Sequence, residues 1–136
     1  MTLRPGDIVF VPDPGQRPED PRYFVTELRG KVKVVTNDGT VHLFAEENSF
    51  DLIPPRELPS GDGQVGLASI CLDPAHGYVF VTFTYDDGTG VLRNNIARFE
   101  SAPGTFGTRA GEKVVFTEIF AGDESGPAHQ IGSCRI

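Results

Sequence analysis

The sequence predicts an all-β protein built of antiparallel four-stranded sheets. Sixteen glycines and eleven prolines punctuate short runs rich in β-branched and aromatic residues, and they do so without forming a low-complexity tract. Two of these runs, within residues 61–85, are separated only by the turn-forming segment 73–77 and predict a hairpin. A set of four such runs occurs twice along the chain.

The first set of four strands is predicted within residues 8–44. Residues 8–11 form a short apolar run that ends at a Pro-Asp-Pro-Gly segment, and a polar, proline-rich surface loop follows as far as Pro21. Three further strands are predicted at 22–28, 31–36 and 40–44. Short turns join them, and the Asn-Asp-Gly turn at 37–39 is a strong hairpin signal. These four strands predict a meander.

A connecting loop of unusual length is predicted at residues 46–63. The segment has few apolar residues, several prolines and glycines, and no period. Long loops on all-β scaffolds often carry functional residues.

The second set of four strands is predicted within residues 66–120. The strand at 66–72 is apolar on both faces. In the strand at 78–85, Val79, Val81 and Phe83 alternate with Tyr78, Phe80 and Thr82, so both faces can be covered. Strands at 91–100 and 114–120 complete the set. A hairpin that is covered on both faces implies stacked sheets.

The two sets repeat with a spacing of 60 residues, since a Val-Pro-Asp-Pro segment at 11–14 matches Cys-Leu-Asp-Pro at 71–74. Four antiparallel strands per unit, with a long return loop, are typical of a β-propeller blade. We therefore predict a first blade and connecting loop at 1–60, a second blade at 61–127, and the first strand of a third at 128–136. The alternative is a complete two-sheet β-sandwich.

Composition excludes several classes of protein. The formal net charge is −7, and the twelve Lys and Arg residues are scattered among nineteen acids, so we expect no nucleic-acid partner. No apolar run is long enough for a membrane span, and the first five residues are too short and polar to be a signal peptide. Cys71 and Cys134 both lie in predicted strands, and we expect two buried thiols rather than a disulfide.

Five short segments, in order, resemble the soluble pyrroloquinoline-quinone (PQQ)-dependent glucose and aldose sugar dehydrogenases, also called the glucose/sorbosone dehydrogenase family. These segments are GQVGL at 63–67, LDP at 72–74, GYVFV at 77–81, NIARF at 95–99 and HQIG at 129–132. A weaker likeness extends upstream to YFVTE at 23–27 and GKV at 30–32. The resemblance covers nearly the whole chain.

The resemblance implies a six-bladed propeller about three times as long as this chain, which would make the chain an N-terminal portion of about two blades and one strand. It implies oxidation of an aldose at C1, with PQQ and calcium as cofactors, an electron acceptor as partner, and a periplasmic or secreted location. The residues that hold the cofactor would mostly lie beyond residue 136. We therefore expect this chain alone to be inactive and to bind no cofactor tightly.

His129 matches the family's general base, which takes the proton of the sugar hydroxyl while hydride passes to the quinone. Imidazole titrates near neutral pH and suits that role. Gln64 matches a glutamine that holds the sugar, and its place between Gly63 and Gly66 allows close approach of a ligand. Ala128 departs from the pattern, because some members have an aspartate there. Outside the resemblance, His129 reads as a surface-loop residue and Gln64 as a polar turn residue.

Other candidate sites are weaker. His42 and His76 lie beside strand ends and are expected to be solvated. Five acidic residues in predicted loops could hold calcium but have no EF-hand spacing, namely Asp62, Asp86, Asp87, Asp123 and Glu124. The functional alternative to the enzyme is a non-catalytic β-propeller or β-sandwich module that binds carbohydrate or protein.

Overall fold

A computed structural model describes residues 5–46, 66–86, 89, 92–107 and 117–124. All regular structure in these residues is β-strand. The strands are β1 (Pro5–Phe10), β2 (Pro21–Glu27), β3 (Lys31–Thr36), β4 (Val41–Ala45), β5 (Leu67–Asp73), β6 (Tyr78–Asp86), β7 (Leu92–Glu100) and β8 (Thr117–Glu124). This part of the chain contains no apolar helix of membrane-spanning length.

The eight strands form two separate four-stranded antiparallel sheets, which confirms the predicted fold class. The first sheet has the order β1-β2-β3-β4 and the second β5-β6-β7-β8. Each sheet is a meander that is continuous in sequence, and no strand crosses from one sheet to the other. A Greek-key sandwich would exchange strands between its sheets, so the topology favours successive blades. The predicted third unit lies outside the described residues.

The core lies between facing surfaces of the two sheets. Cross-strand register places Val9, Phe24 and Val34 of the first sheet in one row, with Phe24 and Val34 fully buried. The second sheet contributes three fully buried residues of β6, namely Val79, Val81 and Phe83. The sequence pattern predicts these three on one face of the strand. Aromatic rings join the sheets, because Phe44 of β4 meets Phe99 of β7 edge to face at 6.3 Å between centroids.

A loop after β7 closes one end of this core with Phe106. The residue has φ of +61°, a left-handed conformation that costs a bulky side chain about 1–2 kcal/mol. Its ring is nevertheless buried and contacts Phe24 edge to face at 5.7 Å. Burying a Phe side chain contributes about 1.5–3 kcal/mol, which offsets the backbone strain.

The proline-rich segment between β1 and β2 is fixed to the β3–β4 turn. The amide of Asn37 donates to the carbonyls of Gly15 and Arg17 at 2.7 and 2.8 Å. The buried carboxylate of Asp20 accepts from the Arg17 guanidinium and from the Arg17 backbone N–H, both at 3.0 Å. The hydrogen bond from the Arg17 side chain lowers the pKa of Asp20 below its ordinary value.

We expect Asp20→Asn to be less stable than the wild type at neutral pH, with the difference shrinking in acid. The folded-state pKa of Asp20 is lowered, so its carboxylate adds to the free energy of unfolding at pH values above the unfolded-state pKa near 3.8. This stabilisation is lost as pH falls through the folded-state pKa. Urea unfolding at a series of pH values from 7 to 2.5 measures this. Glu19→Gln is the matched control, since Glu19 is exposed and lies 3.5 Å from Arg17. A pH-independent difference would contradict the assignment.

Cys71 is disulfide-bonded, so the prediction of a buried free thiol at this position was wrong. The residue is buried in β5 opposite Phe80 of β6. Cys134, the other cysteine of the sequence, lies outside the described residues. Sixty-two residues separate the two cysteines, and this spacing belongs to no recognisable disulfide framework. No pattern in the sequence therefore signals the bond.

Candidate functional site

The two sheets meet through their backbones at the edge where β5 begins, here called the β5-entry edge and defined by Gly6, Leu28, Gly66 and Leu67. The Leu67 N–H donates to the Leu28 carbonyl of the first sheet at 2.8 Å. The Gly66 carbonyl accepts from the N–H of Thr84 at 2.8 Å. Gly66 has φ of +103°, which a residue with a side chain rarely adopts. Gly66 therefore leads directly into β5.

Gly6 allows the close approach of β1 and β5 at this edge. A Cβ on Gly6 would lie 2.3 Å from the Leu67 carbonyl oxygen, a backbone atom that cannot move aside alone. A glycine at this position is thus needed for the two sheets to come together. β1 begins at Pro5 rather than at the predicted Ile8, since Pro5 pairs with Glu27 and Asp7 with Thr26, and the register shifts between Pro5 and Asp7.

Asp7 forms a polar link between the sheets. Its Oδ2 accepts from the Ile70 N–H of β5 at 3.2 Å, and its Oδ1 accepts from the Ile8 N–H at 2.9 Å. β5 is the edge strand of its sheet, so alternate N–H groups point away from the ladder and need another acceptor. The carboxylate of Asp7 satisfies one of them. It therefore has a structural role at the inner side of the site, which sequence analysis did not identify.

The segments that carry the two predicted site residues adjoin the same end of the second sheet, one before its first strand and the other after its last. Gln64 and His129 themselves lie outside the described residues. Gln64 precedes Gly66 by two positions, and His129 follows the end of β8 at Glu124 by five. Because four antiparallel strands alternate in direction, β8 ends at the edge where β5 begins. Five residues span at most about 18 Å. The chain therefore enters β5 and leaves β8 at the same end of the second sheet, at its two outer strands.

A different polar cluster lies at the opposite edge, where β5 ends. His76 Nδ1 is 2.8 Å from Asp73 Oδ2, and its ring stacks on Tyr78 with centroids 5.2 Å apart. The Arg98 guanidinium lies over the Tyr78 ring at 4.3 Å and bonds Glu100 at 3.2 Å. His76 is exposed, as expected, and has a carboxylate partner. These groups contact one another beside the β5–β6 turn, although the buried Nε of Arg98 has no hydrogen-bond partner among the described residues.

The described residues do not supply a cation site that fits the calcium of the resemblance. No group of three or more His, Cys, Asp or Glu side chains that could hold a metal ion occurs within them. His42 lies in β4 opposite Val34, and Asp86 ends β6. Asp86 lies in β6 and Asp123 and Glu124 lie in β8 rather than in loops, so the prediction of these three as loop residues was wrong. Asp62 and Asp87 lie outside the described residues.

The architecture defines a class of protein, one built from successive four-stranded antiparallel blades. No protein-family model matches the chain, and no curated protein matches it by sequence. Solved structures do match it. Two glucose dehydrogenase structures match with TM-scores of 0.58 and 0.59, at 17% and 18% identity. A candidate oxidoreductase (glucose dehydrogenase) from Thermus thermophilus matches with a TM-score of 0.55 at 22% identity.

These matches cover almost all of this chain but only part of each neighbour. The two glucose dehydrogenases are matched over 96% of this chain and over 32% and 35% of their own length. The Thermus protein is matched over 93% of this chain and 30% of its own. The chain thus has the fold of about a third of a glucose dehydrogenase. At these identities the likeness shows the fold alone.

Proposed function

We propose that this chain is the N-terminal part of a sugar dehydrogenase-like oxidoreductase that oxidises the C1 hydroxyl of an aldose. The observation that carries the proposal is the fold likeness to two glucose dehydrogenases over 96% of the chain. The motif order in the sequence supports it. So does the strand order, by which the chain enters β5 soon after Gln64 and leaves β8 shortly before His129 at the same end of the second sheet.

In the proposed reaction His129 is the proton acceptor and Gln64 a sugar-binding residue. The neutral imidazole takes the proton of the C1 hydroxyl, a hydride leaves C1, and the aldose becomes a lactone. The hydride requires a two-electron acceptor. The Gln64 amide can both donate to and accept from sugar hydroxyls, which would hold C1 beside the imidazole.

PQQ is the proposed hydride acceptor and calcium its proposed companion ion, by resemblance. The described residues provide no cluster for the ion, so we assign neither group to residues of this chain. The proposal therefore keeps the expectation that the isolated chain is inactive and binds no cofactor tightly. A periplasmic or secreted location belongs to the same proposal.

A chimera tests the proposal, in which this chain replaces the matched third of the Thermus protein and the assembly is supplied with PQQ and calcium. We expect aldose-dependent dye reduction, and we expect His129→Ala to lower kcat about 100-fold or more, as loss of a general base does. His76→Ala is the matched control, because its exposed ring lies at the opposite edge of the second sheet. Its rate should equal that of the parent chimera.

A second readout uses the chain itself. The sequence has three histidines, so His→Ala variants assign every imidazole NMR signal. We expect glucose or another aldose to shift the His129 signal and to leave that of His76 unchanged. Sugar binding by the chain, together with a chimera that reduces no dye when supplied with PQQ and calcium, would instead indicate the non-catalytic propeller. Equal activity of His129→Ala and the parent chimera would overturn the assignment of the base.

A further inference from the structure

The second sheet has a far face, which points away from the first sheet, and half of that face is buried. We define the buried half by Ser69 and Cys71 of β5 and by Thr82 and Thr84 of β6. These four side chains are 0–6% exposed. Cross-strand register pairs Ser69 with Thr82, and the four share a face because strand side chains alternate.

The first sheet does not account for this burial, because it packs on the opposite face of the second sheet. Its contacts run through the core residues that alternate with these four along β5 and β6. Hydrogen bonds within the face are present, since Ser69 Oγ lies 2.6 Å from Thr82 Oγ1, and Thr84 Oγ1 donates to Asn94 Oδ1 at 3.0 Å. Such bonds pair polar atoms without covering the face. The burial therefore requires a further segment over the buried half.

Cys71 identifies that segment. The residue is disulfide-bonded, and Cys134 is the only other cysteine of the sequence. The two Cα atoms of a disulfide lie about 4.4–6.8 Å apart, so a bond to Cys134 would bring its neighbours against the face that carries Cys71. The sequence predicts a strand around Cys134, at 128–136, outside the described residues.

The chain after β8 is long enough to reach Cys71. β8 ends at Glu124, so ten residues lead to Cys134, and they span at most about 33–36 Å. Three strand spacings, about 14 Å, separate β8 from β5, and five residue rows, about 17 Å, separate Glu124 from Cys71. The direct distance is therefore about 22 Å. The chain can cross the end of the sheet and return along β5.

The two surfaces also match in size. The buried half carries only Ser, Cys and Thr side chains, which leave a shallow surface. In the predicted strand at 128–136, Gly132 and Cys134 share one face. Small side chains on both surfaces allow the two backbones to approach as closely as a disulfide requires.

We propose that Cys71 is bonded to Cys134 and that this bond holds residues 128–136 on the buried half of the far face. Formation of the bond breaks two S–H bonds, forms one S–S bond and releases two protons and two electrons. A second disulfide takes them by thiol–disulfide exchange and is itself reduced to two thiols.

Neither the pairing nor the docking rests on the proposed dehydrogenase activity. One consequence does rest on it. Cys134 follows His129 by five residues, which span at most about 18 Å, so the bond would keep the proposed base close to the second sheet.

Peptide mapping of the purified chain without reduction, with free thiols blocked before digestion, tests the pairing. Trypsin cuts after Arg and Lys, so residues 57–93 and 114–135 are released as peptides with one cysteine each. We expect mass spectrometry to find the two as one linked species that separates on reduction. Two blocked thiols, or a linkage of either peptide to a second copy of itself, would overturn the pairing.

Amide hydrogen exchange tests the docking. In the oxidised wild type we expect the amides of residues 128–136 to exchange at least about tenfold more slowly than in an unstructured peptide. Cys134→Ser should remove this protection and leave that of β2 and β3 unchanged, and reduction of the wild type with dithiothreitol should do the same. Ser133→Ala is the matched control, because it alters the neighbouring residue and keeps the bond.

Two exchange results would overturn the docking. Unstructured-peptide rates at 128–136 in the oxidised wild type would show that another segment covers the buried half. Protection that survives both Cys134→Ser and reduction would show that the bond does not hold the segment in place.

Discussion

Phe24→Ala is expected to lower the free energy of unfolding by about 3–5 kcal/mol, the usual cost of removing a fully buried aromatic side chain. The Phe24 ring has no solvent exposure and lies in the middle of the first sheet. It contacts Phe44 edge to face at 5.2 Å and Phe106 at 5.7 Å, so it joins the first sheet to the loop that follows β7. Truncation would leave a cavity between the sheets, which their hydrogen-bonded strands cannot collapse to fill.

Urea unfolding followed by far-UV circular dichroism measures this effect, since the chain has no tryptophan to report by fluorescence. Phe24→Leu is the matched control, because it keeps an aliphatic group in the core and loses only the ring contacts. We expect its cost to be below about 1.5 kcal/mol. A Phe24→Ala variant within about 1 kcal/mol of the wild type would show that the sheets do not pack through this ring.

The strands could be predicted from sequence because local signals agree with the tertiary structure along most of the chain. The β3 prediction at 31–36 coincides with the observed strand, and the Asn-Asp-Gly turn lies where expected. The alternating pattern of β6 correctly placed Val79, Val81 and Phe83 on one face, and that face lies in the core. Alternation and turn residues are properties of neighbouring residues, which a single sequence contains.

Strand ends were missed where a distant contact determines the structure. β1 begins three residues before its predicted start and includes Gly6. The absence of a side chain at Gly6 leaves room for the Leu67 carbonyl, which is some sixty positions away in the sequence. β8 runs to Glu124 rather than ending at Phe120, and includes a Gly-Asp-Glu end that has low strand propensity. Its pairing with β7 also contains register shifts, which no local pattern encodes.

Less of the candidate site than of the strands could be predicted from residue type and spacing. Residue type and spacing alone left His129 and Gln64 as loop and turn residues, and only the resemblance gave them roles. The structure adds that the chain enters β5 and leaves β8 at the same end of the second sheet. Asp7 gave no signal because a Pro-Gly-Asp segment is typical of a turn, and its function is visible only once Ile70 is placed beside it.

Gly77→Ala is expected to lower the free energy of unfolding by about 2–5 kcal/mol, through two separate costs. Gly77 has φ of +72°, and an alanine in that conformation costs about 1–2 kcal/mol. Its Cβ would also lie 2.4 Å from the Ser101 carbonyl oxygen and 2.7 Å from Ala102 C and Pro103 N. Overpacking against backbone typically adds about 1–3 kcal/mol.

Gly104→Ala separates the two costs, because it shares the backbone conformation without the crowding. Gly104 lies in the loop after β7 that Gly77 contacts. It has φ of +81° and nothing within 4 Å of the position that a Cβ would take. We expect it to lose only about 1–2 kcal/mol in the same urea experiment.

The excess cost at Gly77 measures how tightly the β5–β6 turn holds residues 101–107. The Ser101 N–H donates to the Gly77 carbonyl at 2.7 Å, and this loop carries Phe106 into the core against Phe24. Equal losses at Gly77 and Gly104 would mean that the turn does not hold the loop, and that Phe106 is kept in the core by its own burial.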